Sequence, residues 1–562
     1  MTRKLITWAA LAATVGLGAC ERNLAVTNPN AGETARVLGT PLDAEALLGT
    51  YYKRWSTGVY GSTSNLEGIA NIYSLLSYSS LANNAQNSHA PFSGATNNNG
   101  PGNVASGEQS RLYFYMGEVD RVASSFLTQQ AAGLTLGTPA RDARAKSYAE
   151  FLRAMSLGYE SIVYDSTAII SEGMDGQDPG TLSYYTVVFD SSMAAFQRAI
   201  DIANAPVTGT DGFPLPFTWL PSPTSMTATE FVKLMRSYRA RIRASVARTP
   251  AERAAVNWAA VIADAQNGIT ADHQITTSTT AGPNNAWRQQ YESFGLWHQM
   301  QPFIIGMGDV SGAYAAWIAQ AVSERGSGNS SFTMVTPDLR FPQGATRAAQ
   351  QADFNIQSCQ GPAQVCKRYF VNRPQGGDQF AGLGFGWSNY DFVRFHSWQI
   401  AGDGTARNGN TPFFMKAELD MLQAEGLYRT GNFAAAGALV NVTRVKNGLP
   451  AITTFDATTQ VPGGSVNCVP KIPVAPYNVV GCGNLWEALK YEKRIETALT
   501  HYLSWFFDMR GWGDLPADTP TYWAVPYQDL QARGTPTSAL YGTGPGPGNV
   551  PGSIAAKGTY GW

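Results

Sequence analysis

The chain has 562 residues, 44% hydrophobic and 11% aromatic, so it can bury a large core and is not a disordered polymer. Charged residues make up 14%, against roughly 25% in an ordinary soluble domain, so Asn, Gln, Ser, Thr and Gly must dress the surface. A net charge of -1 without a basic block excludes a nucleic-acid partner, because phosphate neutralisation needs clustered Lys and Arg.

At the start of the chain, Thr2, Arg3 and Lys4 form a basic segment, and Leu5 to Leu17 is short and mainly apolar. Leu17, Gly18, Ala19 and Cys20 then read as a lipobox, with small residues for a protease's narrow subsites and a thiol to receive diacylglycerol. The reading is a signal peptide over 1–19 and a lipidated tether over 20–40, against the alternative of an ordinary secretory signal. The apolar run falls short of the roughly 20 residues that span a bilayer, so the lipid on Cys20 is the expected membrane attachment.

Helical patterning follows at 42–57 and 65–82, then a Gly/Asn/Ser/Pro-rich loop at 83–107. Periodicity returns at 108–130 and 139–163, where Tyr148, Leu152, Met155 and Tyr159 recur at helical spacing. Further helices read at 182–203, 227–248 and 251–267, the last with Pro250 in its first turn. From 268 to 412 Gly, Pro, Ser, Asn and Trp accumulate. Helices resume at 413–429, 432–447 and 484–507, and 516–562 reads as an extended segment wrapping the surface. The division is one body over 41–562: a helical scaffold (41–267), a loop-rich ligand and partner region (268–412), paired helices (413–515) and the C-terminal segment. The fold class is mainly all-α. Cys359 with Cys366 and Cys468 with Cys482 are close enough in sequence for two local disulfides in an oxidising envelope; the competing metal reading has no CxxC and no adjacent His.

One block carries a repeat signature. Within 413–449, Ala424 is small where two helices approach, Leu427 fills the groove, Gly431, Asn432 and Phe433 make the turn, and Ala436 is the second small contact. These offsets match a tetratricopeptide-type helix pair, which needs other pairs stacked on it.

In order along the chain, the lipobox Cys20 precedes "AKSYAEFLRAMSLGYESIVYD", "YYTVVFDSSMAAFQRAIDIA" and a "PDLR" turn (Pro337 to Arg340). "AELDMLQAEGLYRTGNFAAAGALVNVTRVKNGLP" and "LKYEKRIETALTHYLSWFFDMRGWGDL" complete the set. Together these pieces resemble the SusD/RagB family of nutrient-uptake outer-membrane lipoproteins. The chain departs from the family pattern at Thr500, His501, Leu503 and Ser504, after Cys20, and at its Gly/Pro-rich end. The resemblance implies stacked tetratricopeptide-like pairs and a lipoprotein of the cell outer membrane, facing the surface. It further implies a TonB-dependent, SusC-like receptor as partner and glycans or other nutrients as cargo.

The residues themselves offer little for catalysis. His89, His273, His298, His396 and His501 show no zinc-site spacing, and there is no nucleophile elbow or phosphate loop; "GLGFGW" (Gly382 to Trp387) reads as a tight loop. No cofactor and no metal site is expected. Glu492 and Glu496 lie one turn apart, which suggests acid/base work or, as the preferred reading, ion pairing with Lys493 or Arg494. Binding has better support, because sugar rings pack on aromatic planes and their hydroxyls need amide partners. The candidates are Trp287, Tyr291, Trp297, Trp387 and Tyr390, with Asn83, Asn84 and Asn87 from the polar loop; Trp398, Asn284, Asn285 and Asn389 lie nearby. Trp258, Trp486 and Trp505 read as core. The expected function is non-enzymatic glycan capture. Peptide capture, a glycan-active hydrolase and a purely structural lipoprotein stay open.

Overall fold

The computed structural model describes residues 39–61, 66–78, 99–101, 106–174, 178–205, 212–278, 282–284, 299–321, 325, 332–353, 366, 368–373, 388–395, 408–535 and 557–562. Cys20, the loop Asn residues, Trp287, Tyr291, Trp297, Trp387, Trp398 and Cys359 lie outside the described residues.

Helix α1 (Pro41–Tyr60) begins where the Thr40 hydroxyl accepts the Asp43 amide at 3.3 Å, with Pro41 in the first turn. Helix α2 (Leu66–Tyr73) is shorter than the 65–82 expected. Leu75 adopts φ 56°, a left-handed conformation that a helix cannot continue through, and the chain enters strand β1 (Ser77–Tyr78). Helices α3 (Ser106–Ala131) and α4 (Pro139–Val163) follow as expected. Every residue of α4 from Ser147 to Val163 is buried, so it runs through the middle of the body. Strands β2 (Ser166–Ala168) and β3 (Leu182–Tyr184) pair antiparallel and lead into α5 (Tyr185–Asn204), which packs along α4.

Helix α6 (Ala228–Ser245) carries a reciprocal cap between Thr227 and Glu230. Gly158 of α4 lets it approach: a Cβ there would lie 2.5 Å from Ile242 Cδ1. The single helix expected at 251–267 is two, α7 (Pro250–Ala255) and α8 (Trp258–Gln266). Val256 leaves the helical conformation, and the Asn257 side chain caps the Ala260 amide at 3.0 Å.

The middle of the chain holds strands β4 (His273–Thr277), β5 (Gln299–Met300), β6 (Phe370–Asn372), β7 (Tyr390–Phe392) and β8 (Gly409–Phe414). They pair antiparallel as β1–β5, β4–β8 and β6–β7. Short helical turns lie at Pro302–Ile305, Ala313–Ile318 and Arg347–Asp353.

Helices α9 (Lys416–Arg429) and α10 (Phe433–Lys446) form the expected hairpin. Ala424 and Ala436 are fully buried between them, and the Asn432 side chain caps the Ala435 amide at 3.3 Å. Strands β9 (Lys471–Val474) and β10 (Val479–Cys482) make a hairpin closed by a Cys468–Cys482 disulfide, Cα–Cα 5.7 Å. Cys366 is also disulfide-bonded. The long helix expected at 484–507 breaks into α11 (Leu485–Thr497) and α12 (Ser504–Trp512). Between them the Thr500 and Ser504 hydroxyls donate to the Thr497 carbonyl at 3.0 and 3.1 Å, competing with helical amides, and Leu499 and Leu503 take φ 52° and 55°.

Within 516–562 the described residues are not a surface wrap. Trp523, Val525, Leu530, Tyr560 and Trp562 are buried in the main core, which begins at Ala44, and residues Tyr527–Ala532 are helical. The apolar content of these few side chains outweighs the Gly/Pro-rich composition around them. A smaller core of Met421, Ala424, Val440, Leu485 and Leu489 joins α9, α10 and α11. Trp258 and Trp505 are core residues, and Trp486 packs on the smaller core.

Candidate ligand-binding region

The described residues converge on one junction of short strands. Tyr78 pairs with Gln299, and Gln301 donates its amide to the Leu76 carbonyl at 3.0 Å. On the other side of β5 the Ser388 amide and hydroxyl both donate to the Met300 carbonyl, at 3.0 and 2.7 Å. The Gln299 side-chain amide returns a bond to the Ser388 carbonyl at 2.8 Å, and Arg373 donates its amide to the Asn389 carbonyl at 2.8 Å. Segments 79–98, 285–298 and 374–387 therefore have ends that are hydrogen-bonded neighbours, although they are far apart in sequence. These segments carry Asn83, Asn84, Asn87, Trp287, Tyr291, Trp297 and Trp387. At the start of 285–298, Ser278 donates its amide to Pro283, and Thr277 pairs with Gly409, the second residue after segment 396–407.

Tyr390 differs from the other candidates. It is 1% exposed, and its hydroxyl accepts the Met334 amide at 2.9 Å and donates to Gln350 Oε1 at 2.8 Å. Burial pushes its phenol up to about 12. Its place on a three-residue strand buried throughout turns the ring into the core, so Tyr390 supports the junction and presents no face to a ligand. Asn389 is likewise buried.

The junction is tied to the helical body by charge. Arg340 is fully buried and donates to Asp338 at 2.9 and 2.8 Å, to Glu492 at 2.8 Å and to Glu496 at 3.2 Å. Glu496 also accepts from Tyr369 at 3.1 Å, from Arg394 at 3.2 Å and from Asn447 at 3.1 Å. One carboxylate of α11 thus holds the "PDLR" turn, the residues flanking β6 and β7, and the end of α10. Both glutamates are structural ion-pair partners, but not of Lys493 or Arg494. Adjacent residues on a helix do not face each other, so Lys493 reaches Asp508 at 2.7 Å and Arg494 reaches Asp514.

The two carboxyls are pushed apart electrically. Burial raises Glu492, reinforced by Asp338 and only partly offset by Arg340. Burial would raise Glu496 too, but the Arg394 and Arg340 guanidiniums and the Tyr369 hydroxyl hold it below the usual range. Such a split can mark acid/base work. Here every oxygen of both carboxylates is engaged by protein donors inside the core, which leaves none for a substrate.

His273 and His501 are buried, and burial with the nearby Arg241 holds both imidazoles neutral, His273 at about 3. Among the described residues no group of three or more His, Cys, Asp or Glu is placed to hold a metal ion, and no helix is long and apolar enough to cross a membrane. Sequence reasoning missed Gln299, Ser388 and Arg394. Single polar residues in irregular stretches carry no periodic signal, and only strand pairing brings them together.

No family model and no curated protein matches the sequence. Solved structures match its fold. A SusD superfamily protein from Parabacteroides distasonis aligns at a TM-score of 0.53 with 11% identity, covering 88% of this chain and 98% of that one. A SusD homolog from Bacteroides thetaiotaomicron aligns at 0.53 with 11% identity, covering 88% and 97%.

Proposed function

We propose that this chain, which has the SusD-like fold, is a non-enzymatic lipoprotein that captures glycans and delivers them to a TonB-dependent, SusC-like receptor. The observation that carries the reading is the junction: the residues flanking three sequence-distant segments, one rich in Asn, one carrying Trp287, Tyr291 and Trp297, and one ending in Trp387, are hydrogen-bonded neighbours. Aromatic planes offer a sugar its C–H faces, and amides serve its hydroxyls. In this reading Trp287, Tyr291, Trp297 and Trp387 are the stacking surfaces, and Asn83, Asn84 and Asn87 the polar contacts. Residues 268–412 are the ligand and partner region of one body. Cys20 carries the lipid that anchors the mature chain to the outer membrane, facing outward. The low charge of the sequence supports an uncharged ligand over an ionic one.

The test is retention of the full chain on insoluble polysaccharides with a parallel assay for released sugars. Retention without product supports capture; release of product overturns it in favour of hydrolysis. Trp287→Ala and Trp297→Ala are expected to lower affinity by roughly tenfold each, on the scale of a stacking contact of about 1–3 kcal/mol. Retention of peptides and no polysaccharide would replace the glycan by a peptide as cargo. Loss of membrane attachment in Cys20→Ser tests the anchor.

A further inference from the structure

We infer that the cavity where α5, α6 and α7 converge binds a free amino acid with an apolar side chain, Arg243 taking its carboxylate and Asp190 and Glu252 its ammonium. The inference goes beyond glycan capture and does not depend on it. The cavity measures about 330 Å³, at the low end of the range for small-ligand sites, so it suits one residue-sized molecule and no polymer. The start of α5 contributes Tyr185, Phe189 and Asp190. The end of α6 and the residue after it contribute Arg243 and Val246, and α7 and the residue after it contribute Glu252 and Val256. Tyr185 and Phe189 stand four residues apart and Arg243 and Val246 three, so each pair shares one helix face. Tyr185 is buried at the floor, Phe189, Val246 and Val256 are half-buried walls, and Asp190 is exposed at the mouth.

Arg243 is the group the fold leaves unanswered. Its Nε is buried and meets no acceptor among the described residues. Its one ion-pair contact among them, with Asp264 Oδ2, is long at 3.9 Å. Asp264 is already taken: Arg239 donates to it at 2.8 and 2.5 Å, and Arg236 at 3.3 Å. Burial pushes the Arg243 guanidinium below its usual value, Asp264 offsets this only in part, and Arg239 adds to it. A ligand carboxylate, which matches the fork of a guanidinium, supplies the missing acceptor.

The opposite charge lines the same space. Glu252 accepts the Arg248 amide at 2.8 Å and the Tyr185 hydroxyl at 3.3 Å, both on Oε2, which leaves Oε1 to a ligand. With Asp190 it sets two carboxylates against one guanidinium. A simple anion is therefore disfavoured, and a carboxylate that brings its own ammonium is favoured. The walls are hydrocarbon and would leave the hydroxyls of a sugar without partners. Charge of both signs beside an apolar wall is the complement of leucine or phenylalanine.

The experiment titrates the full chain by calorimetry with leucine, with phenylalanine, and with two derivatives: phenylalaninamide, which lacks the carboxylate, and N-acetylphenylalanine, which lacks the ammonium. Wild type is expected to bind both amino acids and to prefer phenylalanine to either derivative by about tenfold or more, the scale of one hydrogen bond to a charged group. Arg243→Gln should lose the preference over the amide alone, and Asp190→Asn should reduce the preference over the acetyl derivative alone. Equal weakening of all three phenylalanine ligands in both variants would mark the two residues as structural and overturn the assignment. Ala255→Trp, at the exposed mouth, should abolish binding by filling the cavity, and circular dichroism checks that each variant is folded. Failure of wild type to bind either amino acid, or unchanged binding in Ala255→Trp, overturns the site. Retention on polysaccharide is read separately, and neither result bears on it.

Discussion

Arg340 answers three carboxylates from inside the core, so its removal strands negative charge where water cannot reach it. Breaking a buried pair by removing one partner costs about 3–5 kcal/mol, and Arg340→Ala is expected to lower the urea midpoint accordingly. A variant with the wild-type midpoint would remove the network from the account of stability. A second residue sets a pH response. Glu108, 5% exposed at the start of α3, is pushed up to about 8 by burial alone. The folded chain then holds a proton that the unfolded chain releases near the ordinary Glu value of about 4.3. Stability from this group is full below that value and falls as pH rises toward 8. Glu108→Gln keeps the shape without the titration, so its melting temperature should exceed that of wild type at pH 8 and converge with it near pH 4. Glu496 works the other way: held low by Arg394 and Arg340, it stabilises above the ordinary range and loses that contribution as acid protonates it. The sequence showed the spacing of Glu492 and Glu496 but not their partners, because Arg340 and Arg394 lie a hundred residues or more away and no local pattern points at them.

Helices that were long and strongly periodic were legible, and α3, α4, α9 and α10 lie within a few residues of where hydrophobic spacing puts them. Helix breaks were not. Apolar periodicity continues through Leu499, Tyr502 and Phe506, yet the hydroxyls of Thr500 and Ser504 and two left-handed leucines interrupt the backbone there. The departure from the family pattern at Thr500 to Ser504 falls on that break, so the local chemistry was visible before its consequence was. Close packing of α10 against the chain that follows it gives a sharper test. Gly437 sits on the face of α10 that meets Phe455, and a Cβ there would lie 2.2 Å from the ring. Gly437→Ala is expected to destabilise by roughly 1–3 kcal/mol despite the better helix propensity of Ala. A chemical-denaturation midpoint at or above wild type would contradict this packing.

Taken as a body, the molecule closes on itself through its last described residues. Trp562 donates its indole N–H to the Asp514 carbonyl at 3.2 Å and stacks edge-on with Phe303, while Tyr560 donates to Glu487 at 2.5 Å. The C-terminal residues thus touch α11 and the turn after β5, joining parts that composition alone separates. Deleting residues 557–562 is expected to lower the thermal midpoint by several degrees, read by scanning calorimetry, with cooperativity reduced between the two parts. No change would show that these rings fill space without bearing on stability. Composition hid this contact because six residues after a Gly/Pro-rich run are too few for any periodicity to register. The proposed ligand region was legible only as a list of Trp, Tyr and Asn; pairing of β1 with β5 and of β6 with β7, bridged by Ser388 on the Met300 carbonyl, supplies the order, and Tyr390 shows how a strand can draw one of those aromatics inward. In the proposed reading, that junction makes recognition modular. Because segment 374–387 is flanked on both sides by backbone-paired residues, it can be exchanged for a segment of different composition with the cuts made at Arg373 and Ser388; segments 79–98 and 285–298 each have one such end, at Tyr78 and Gln299. Selection for a new cargo can then act on the inserts while the helices, the buried guanidinium and its carboxylates are inherited unaltered.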